Sequence, residues 1–167
     1  VRARQAGFDA VELHGAHGYL ISQFLSPQVN QRTDQFGGSV KNRCRFYTEI
    51  ISRIKGKLGS FPVIARLNAR DFVDGGLELA EAVEIAQYLE EAGVDAVHIS
   101  AGVHASNPYM IVPGMSQKRG CNVHFLKGFA GPLNIPIIVV GRINTPEEAE
   151  EILQEGLADM VAMGRAL

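Results

Sequence analysis

One stretch near the amino end, Ala6-Gly7-Phe8-Asp9-Ala10-Val11-Glu12-Leu13-His14, recurs as Ala92-Gly93-Val94-Asp95-Ala96-Val97-His98-Ile99-Ser100. A weaker copy follows at Glu155-Gly156-Leu157-Ala158-Asp159-Met160-Val161-Ala162-Met163. Each reads as a helix closed by glycine, a turn, and a short apolar strand running into polar or glycine residues. Two further apolar runs, Pro62 to Arg66 and Ile135 to Val140, fit between the copies and bring the strands to five. Runs this continuous suit parallel strands covered by helices.

The segments between supply the helices. Phe46, Ile50, Ile54 and Leu58 fall four apart, and Tyr47 and Ile51 widen that stripe. Leu79, Val83, Ala86 and Leu89 make a second stripe that ends at Gly93. Thr145-Pro146-Glu147-Glu148 combines a capping threonine, proline in the first turn and a glutamate three residues on, which starts a helix through Leu153. A further helix is expected over Val123 to Phe129.

Right-handed βα repeats either curl into a barrel or spread into an open doubly wound sheet. Both place sites at the carboxyl ends of the strands. The polar candidates all fall there: His14 to Tyr19, Arg66, Gly102 to His104, Gly141-Arg142 and Gly164-Arg165. Five units are too few to close an eight-stranded barrel of about 250 residues. The chain begins at Val1 in what reads as the tail of a helix and stops just after a strand, so it is expected to be part of a larger domain. Two long polar loops, Leu25 to Gly38 and Ala101 to Gly120 (with His104, Asn107, Pro108 and Tyr109), suit lids or binding elements.

Composition narrows the partners. A hydrophobic content of 46% over 167 residues supports a real core, and a formal charge of -2 gives no reason to expect nucleic acid. No apolar run approaches a membrane span and no signal peptide is visible, so no membrane partner is expected. Cys44 and Cys121 form no CxxC pair, and a cytoplasmic setting fits them best.

The chemistry concentrates in Glu12-Leu13-His14-Gly15-Ala16-His17-Gly18-Tyr19. Two imidazoles and a phenol at a strand's end can donate hydrogen bonds to a carbonyl or similar oxygen. The blander reading has His14 and His17 satisfy buried backbone groups. A zinc site would need a third ligand; Glu12 lies across the strand from Leu13 and no carboxylate–histidine arrangement is expected nearby, so no metal is assigned. Arg66 ends an apolar strand, where a cation needs a partner; the bland one is Asp71 or a neighbouring carboxylate. Gly141-Arg142 and Gly164-Arg165 suit phosphate, since glycine lets backbone N–H groups approach and arginine adds a bidentate charge, although ordinary turns use the same residues. His98 and His124 read as structural.

The string from Glu12 to Tyr19, followed by Gln23-Phe24-Leu25-Ser26-Pro27, Asn30, Arg32-Thr33-Asp34, Phe36-Gly37-Gly38-Ser39, Asn42-Arg43 and Arg45-Phe46, resembles the old yellow enzyme family of FMN-dependent ene reductases. The histidine-alanine-histidine version resembles its bacterial branch, including the larger dienoyl-CoA reductase-like and enoate reductase-like members. The resemblance runs end to end and implies a partial TIM (β/α)8 barrel, its five βα units matching strands four to eight, with three units before residue 1. It implies FMN at the barrel mouth and NAD(P)H as reductant. The substrate would be a small enone, enoate or enoyl thioester. His14 and His17 would bind the carbonyl oxygen and Tyr19 would donate the proton. Arg66 would lie by the flavin's pyrimidine edge, and Gly141, Arg142, Gly164 and Arg165 would hold the phosphate. His104 resembles a histidine that assists protonation in the dienoyl-CoA reductase-like relatives; a solvated loop histidine is the alternative. A 4Fe-4S segment beyond Leu167 is a further expectation from the larger relatives. The piece alone is expected to bind FMN poorly and to pair its exposed sheet edges, as in a homo-oligomer. A phosphate-binding isomerase or aldolase barrel is one alternative, and a structural fragment that is inactive when expressed alone is the other.

Overall fold

The computed structural model describes residues 1–106 and 110–166. Asn107, Pro108 and Tyr109 of the second long loop, and Leu167, lie outside the described residues. Five strands, β1 (Val11–Gly15), β2 (Val63–Asn68), β3 (Ala96–Ser100), β4 (Ile137–Val140) and β5 (Met160–Ala162), form one sheet in the order β1-β2-β3-β4-β5. Every pairing is parallel. A doubly wound sheet reverses its strand order at a switch point. No reversal occurs here, so each right-handed crossover places its helices on the same face. That is the winding of a (β/α)8 barrel, of which the described strands are five.

The helices are α1 (Arg2–Gln5), α2 (Leu20–Leu25), α3 (Val40–Leu58), α4 (Leu79–Glu91), α5 (Leu126–Phe129, after a 3-10 turn over Val123–Phe125) and α6 (Pro146–Gln154). Local chemistry sets their limits. The Ser39 side chain accepts from the Asn42 N–H to open α3, and Gly59, at φ 61, closes it. Thr145 accepts from the Glu148 N–H, with Pro146 in the first turn of α6. Glu148 in turn accepts from the Asn144 N–H.

Alternation in the strands separates two faces. Val63, Ala65, Leu67, Val97, Ile99 and Val139 are fully buried against the helices. The opposite face carries a register row of His14, Arg66, His98 and Ile138, the face a barrel turns inward. Both helical stripes sit rotated from their expected centres. In α3 the buried residues are Arg43, Cys44, Tyr47 and Ile51, and in α4 they are Ala82, Ile85, Ala86 and Leu89. Tyr47 explains the first rotation, because its hydroxyl donates to the Leu13 carbonyl at 2.7 Å and must face the sheet. Phe46 moves to the flank and stacks on Phe24, 4.3 Å between centroids, beneath the first long loop. Arg43 ties that loop down: it donates to the Leu25 and Gly38 carbonyls, each at 2.8 Å, and pairs with Glu81 at 2.6 Å.

Gly15 is the tightest joint between α3 and the sheet. A Cβ there would press into the Tyr47 ring and lie 2.7 Å from the Arg66 carbonyl oxygen, neither of which can yield easily. Gly15→Ala is therefore expected to cost about 1–3 kcal/mol through overpacking. Urea unfolding measures it, and an unchanged midpoint would contradict this packing.

Candidate active site

The segment after β1 turns sharply enough to bring four aromatic rings together. His17 sits at φ 65, a left-handed conformation that costs a side chain other than glycine, and Gly18 follows at φ 82. The strained turn is held from outside: the His17 N–H donates to Asn68 Oδ1 at 3.3 Å, and His17 bridges to Val103. His14 and His17 have ring centroids 5.0 Å apart, His14 and Tyr19 5.1 Å, and Tyr19 and His104 5.2 Å. His14, His17, Tyr19 and His104 thus form one cluster on the inward face. Tyr19 is 51% exposed, so the residue is open to solvent.

Three loops are locked around that cluster by buried amide and carboxyl groups. Asn68 donates to Asp71 Oδ1 and to the Gly102 carbonyl, both at 2.9 Å. Asp71 accepts from the Leu77 N–H at 3.0 Å. Asp71 is thereby occupied and is not the partner of Arg66, the ion pair that the sequence left open. Arg66 forms no ion pair among the described residues; its Nη2 approaches Ser100 Oγ at 3.5 Å and its buried Nε has no partner there. Burial lowers its pKa, an effect that the carboxylate of Glu12 partly offsets.

Glu12 corrects another expectation. It does face away from Leu13, but a carboxylate–histidine pair stands there: His98 Nδ1 and Glu12 Oε2 are 2.7 Å apart. Burial raises the Glu12 pKa, while the hydrogen bond to His98, with the charges of His98, Arg66 and His14, outweighs it and holds the carboxyl below its ordinary value. His98 is thus built into the inward face as a partner of Glu12.

A cavity of about 520 Å³ adjoins the cluster and is lined by Arg66, Ser100, Asn122, Gly141, Arg142 and Arg165, among others. Gly164 also lines it. Arg142 (φ 52) donates from Nη1 to the Gln117 carbonyl at 2.5 Å, and Arg165 donates from Nη2 to the Pro113 carbonyl at 2.8 Å. Each guanidinium is anchored to the second long loop by one nitrogen. At Gly141 (φ 148) a Cβ would lie 2.8 Å from the Asn122 amide, which itself donates to the Val140 carbonyl at 2.8 Å. Arg66 within β2 and the candidates after β4 and β5 are brought to one cavity, and His14, His17, Tyr19 and His104 to the neighbouring ring cluster.

Asn68, Ser100, Asn122 and the Glu12–His98 pair were not singled out from the sequence. A signal existed for two of them. Counting by twos along the strand from Arg66 reaches Asn68, and from His98 reaches Ser100, so both fall on the inward face.

This geometry belongs with its relatives. The chain matches the NADH:flavin oxidoreductase / NADH oxidase family over residues 1–167 and is a member of it. It is 49% identical to a protein named NADH oxidase from Thermoanaerobacter brockii, covering 100% of this chain and 26% of that one. It is 40% identical to an NADPH dehydrogenase of Bacillus subtilis (strain 168), covering 99% of this chain and 47% of the relative. Among solved structures, a 2-naphthoyl-CoA reductase in complex with 2-naphthoyl-CoA superposes with a TM-score of 0.85 at 36% identity, over 95% of this chain and 24% of that one. The chain therefore spans between about a quarter and a half of these relatives. The family is one of FMN- and NAD(P)H-dependent oxidoreductases, as the Glu12 to Phe46 string indicated. No helix among the described residues is long and apolar enough to cross a membrane.

The electrostatics keep the imidazoles neutral. Burial first, then the charge of Arg66, lowers the His14 pKa. The same causes, joined by the neighbouring histidines, bring His17 down to about 3 from its ordinary 6.5. Between those two pH values the unfolded chain binds a proton at His17 that the folded chain does not. The stability tied to His17 is full above pH 6.5 and is lost as the pH falls towards 3. Urea unfolding across that window should show a shallower acid loss for His17→Gln than for the unaltered chain; equal slopes would contradict a buried, neutral His17.

Proposed function

We propose that the chain carries the reacting end of an FMN-dependent NAD(P)H:ene oxidoreductase that reduces the C=C bond of α,β-unsaturated carbonyls or thioesters. Its units would correspond to strands four to eight of the barrel. The observation that carries this reading is that the ring cluster and the cation-lined cavity touch at Arg66 and Ser100.

The residues present fit FMN. Three guanidinium groups suit an anionic phosphate and a ring that gains negative charge on reduction, and Arg66 keeps one buried N–H without a partner among the described residues. Gly141 and Gly164 leave the backbone open to close approach. Arg142, Arg165 and the two glycines would hold the phosphate, and Arg66 the pyrimidine edge. When bound, FMN supplies the hydride that NAD(P)H delivers to it and that the β-carbon of the alkene receives.

The chain's own residues then manage charge and proton. Negative charge builds on the substrate's carbonyl oxygen, and the N–H groups of neutral His14 and His17 donate to it. One donor placed this way stabilises the transition state by about 2.7–4 kcal/mol. Neutral imidazoles hold the oxygen without surrendering a proton, so the proton for the α-carbon comes from the Tyr19 hydroxyl. Solvent, which reaches Tyr19, reprotonates it. His104, packed edge-on against the Tyr19 ring, would assist that proton transfer.

Two outcomes test this reading. The full-length protein as purified should show flavin absorbance, and a colourless full-length protein would favour an isomerase or aldolase barrel. Tyr19→Phe should slow alkene reduction by about 10²- to 10⁴-fold while NAD(P)H still reduces the flavin at its usual rate. Equal loss in both half-reactions would count against Tyr19 as the proton donor.

A further inference from the structure

Two hydrogen bonds meet at one hydroxyl between the ring cluster and the cavity. Ser100 Oγ lies 2.7 Å from His17 Nε2, and Arg66 Nη2 points at the same oxygen at 3.5 Å. Ser100 is 2% exposed and His17 6%, which leaves little room for water to replace either contact.

The donor inventory fixes one of these bonds and limits the other, since a hydroxyl has one proton to give and two lone pairs to receive. A guanidinium can only donate, so Ser100 Oγ accepts from Arg66. The hydroxyl retains one proton of its own, and its short contact is His17 Nε2. A neutral imidazole has one N–H and one acceptor nitrogen, and burial beside Arg66 keeps His17 neutral. With the Ser100 proton directed at Nε2, the imidazole's proton sits on Nδ1.

We propose that Ser100 is a positioning residue that fixes His17 as the Nδ1–H tautomer, so that Nδ1 is the atom offered to the substrate oxygen. Arg66 orients the Ser100 hydroxyl from the cavity side. The chain of donors runs from Arg66 through Ser100 to His17, and every member is supplied by this chain. The proposal rests on the ene-reductase reading only for its consequence; the tautomer is a property of the fold. Binding of an anionic ring beside Arg66 would strengthen the alignment, because it holds the guanidinium in place. Any hydroxyl-free residue at position 100 releases the ring, and Nε2 then competes with Nδ1 for the proton.

The test is nuclear magnetic resonance of the holoenzyme labelled with [15N]histidine, with the His17 signals assigned by their loss in His17→Asn. Two-bond proton–nitrogen correlations distinguish the tautomers. The proposal expects the protonated nitrogen of His17 to be Nδ1 in the unaltered protein, and expects Ser100→Ala to shift the population towards Nε2–H. Alkene reduction by Ser100→Ala should fall by at least about tenfold, up to the roughly 10²–10³ that follows outright loss of an oxyanion donor. An Nε2–H tautomer in the unaltered protein overturns the proposal without any variant having to fold. A tautomer unmoved by Ser100→Ala overturns it as well. Absence of flavin absorbance from the full-length protein as purified would instead overturn the functional reading, which keeps the two failures apart.

Discussion

The buried amide of Asn68 is the contact on which the site depends. Its oxygen receives the N–H of His17, and its nitrogen reaches both Asp71 and the Gly102 carbonyl. One side chain at the end of β2 thereby fixes the segments that leave β1, β2 and β3. Each bond replaces water that the site excludes, and loss of any partner would leave a buried polar group unsatisfied at a cost of about 1–3 kcal/mol. The strain at His17, held at φ 65, persists because these bonds over-determine it.

From that joint the rest follows in layers. The sheet's outward face is sealed by aliphatic side chains and by Tyr47, whose hydroxyl is spent on a strand carbonyl. The inward face can therefore carry what a core rejects: a glutamate, an arginine and two histidines along two registers, with His17 in the turn beyond. The cost of that polarity is shared between Glu12 and His98, between Arg66 and Ser100, and between His17 and Ser100. Neutral histidines follow from burial beside a permanent cation, and their neutrality suits donors that must hold an oxygen without protonating it.

The architecture was largely legible because a repeated glycine-turn-strand unit leaves few ways to fold, and the parallel order of the five strands agrees with it. The string around His14 and His17 also pointed to the flavin oxidoreductase family that the chain joins. Stripe centres were less legible. Apolar spacing in α3 admits either Phe46 or Tyr47 at the middle, and the hydrogen bond from Tyr47 to Leu13 decides between them. The Glu12–His98 pair was invisible for a different reason: the two residues lie far apart in sequence and meet only across β2, whose register alone brings them together. Asn68 and Ser100 escaped notice because a short polar residue at a strand end looks like the start of a loop. Their strand parity was the available clue.

The central claim is that His14 and His17 present neutral donors to a carbonyl oxygen above the cation-lined cavity, with the Tyr19 hydroxyl beside the carbon next to that carbonyl. The most direct measurement is the crystal structure of the flavin-loaded protein with a saturated ketone analogue of the substrate bound. The ketone oxygen should lie within hydrogen-bond distance of both His14 and His17 Nδ1, with the α-carbon nearest the Tyr19 hydroxyl. A ketone held by other donors, with the two imidazoles turned away from it, would contradict the account.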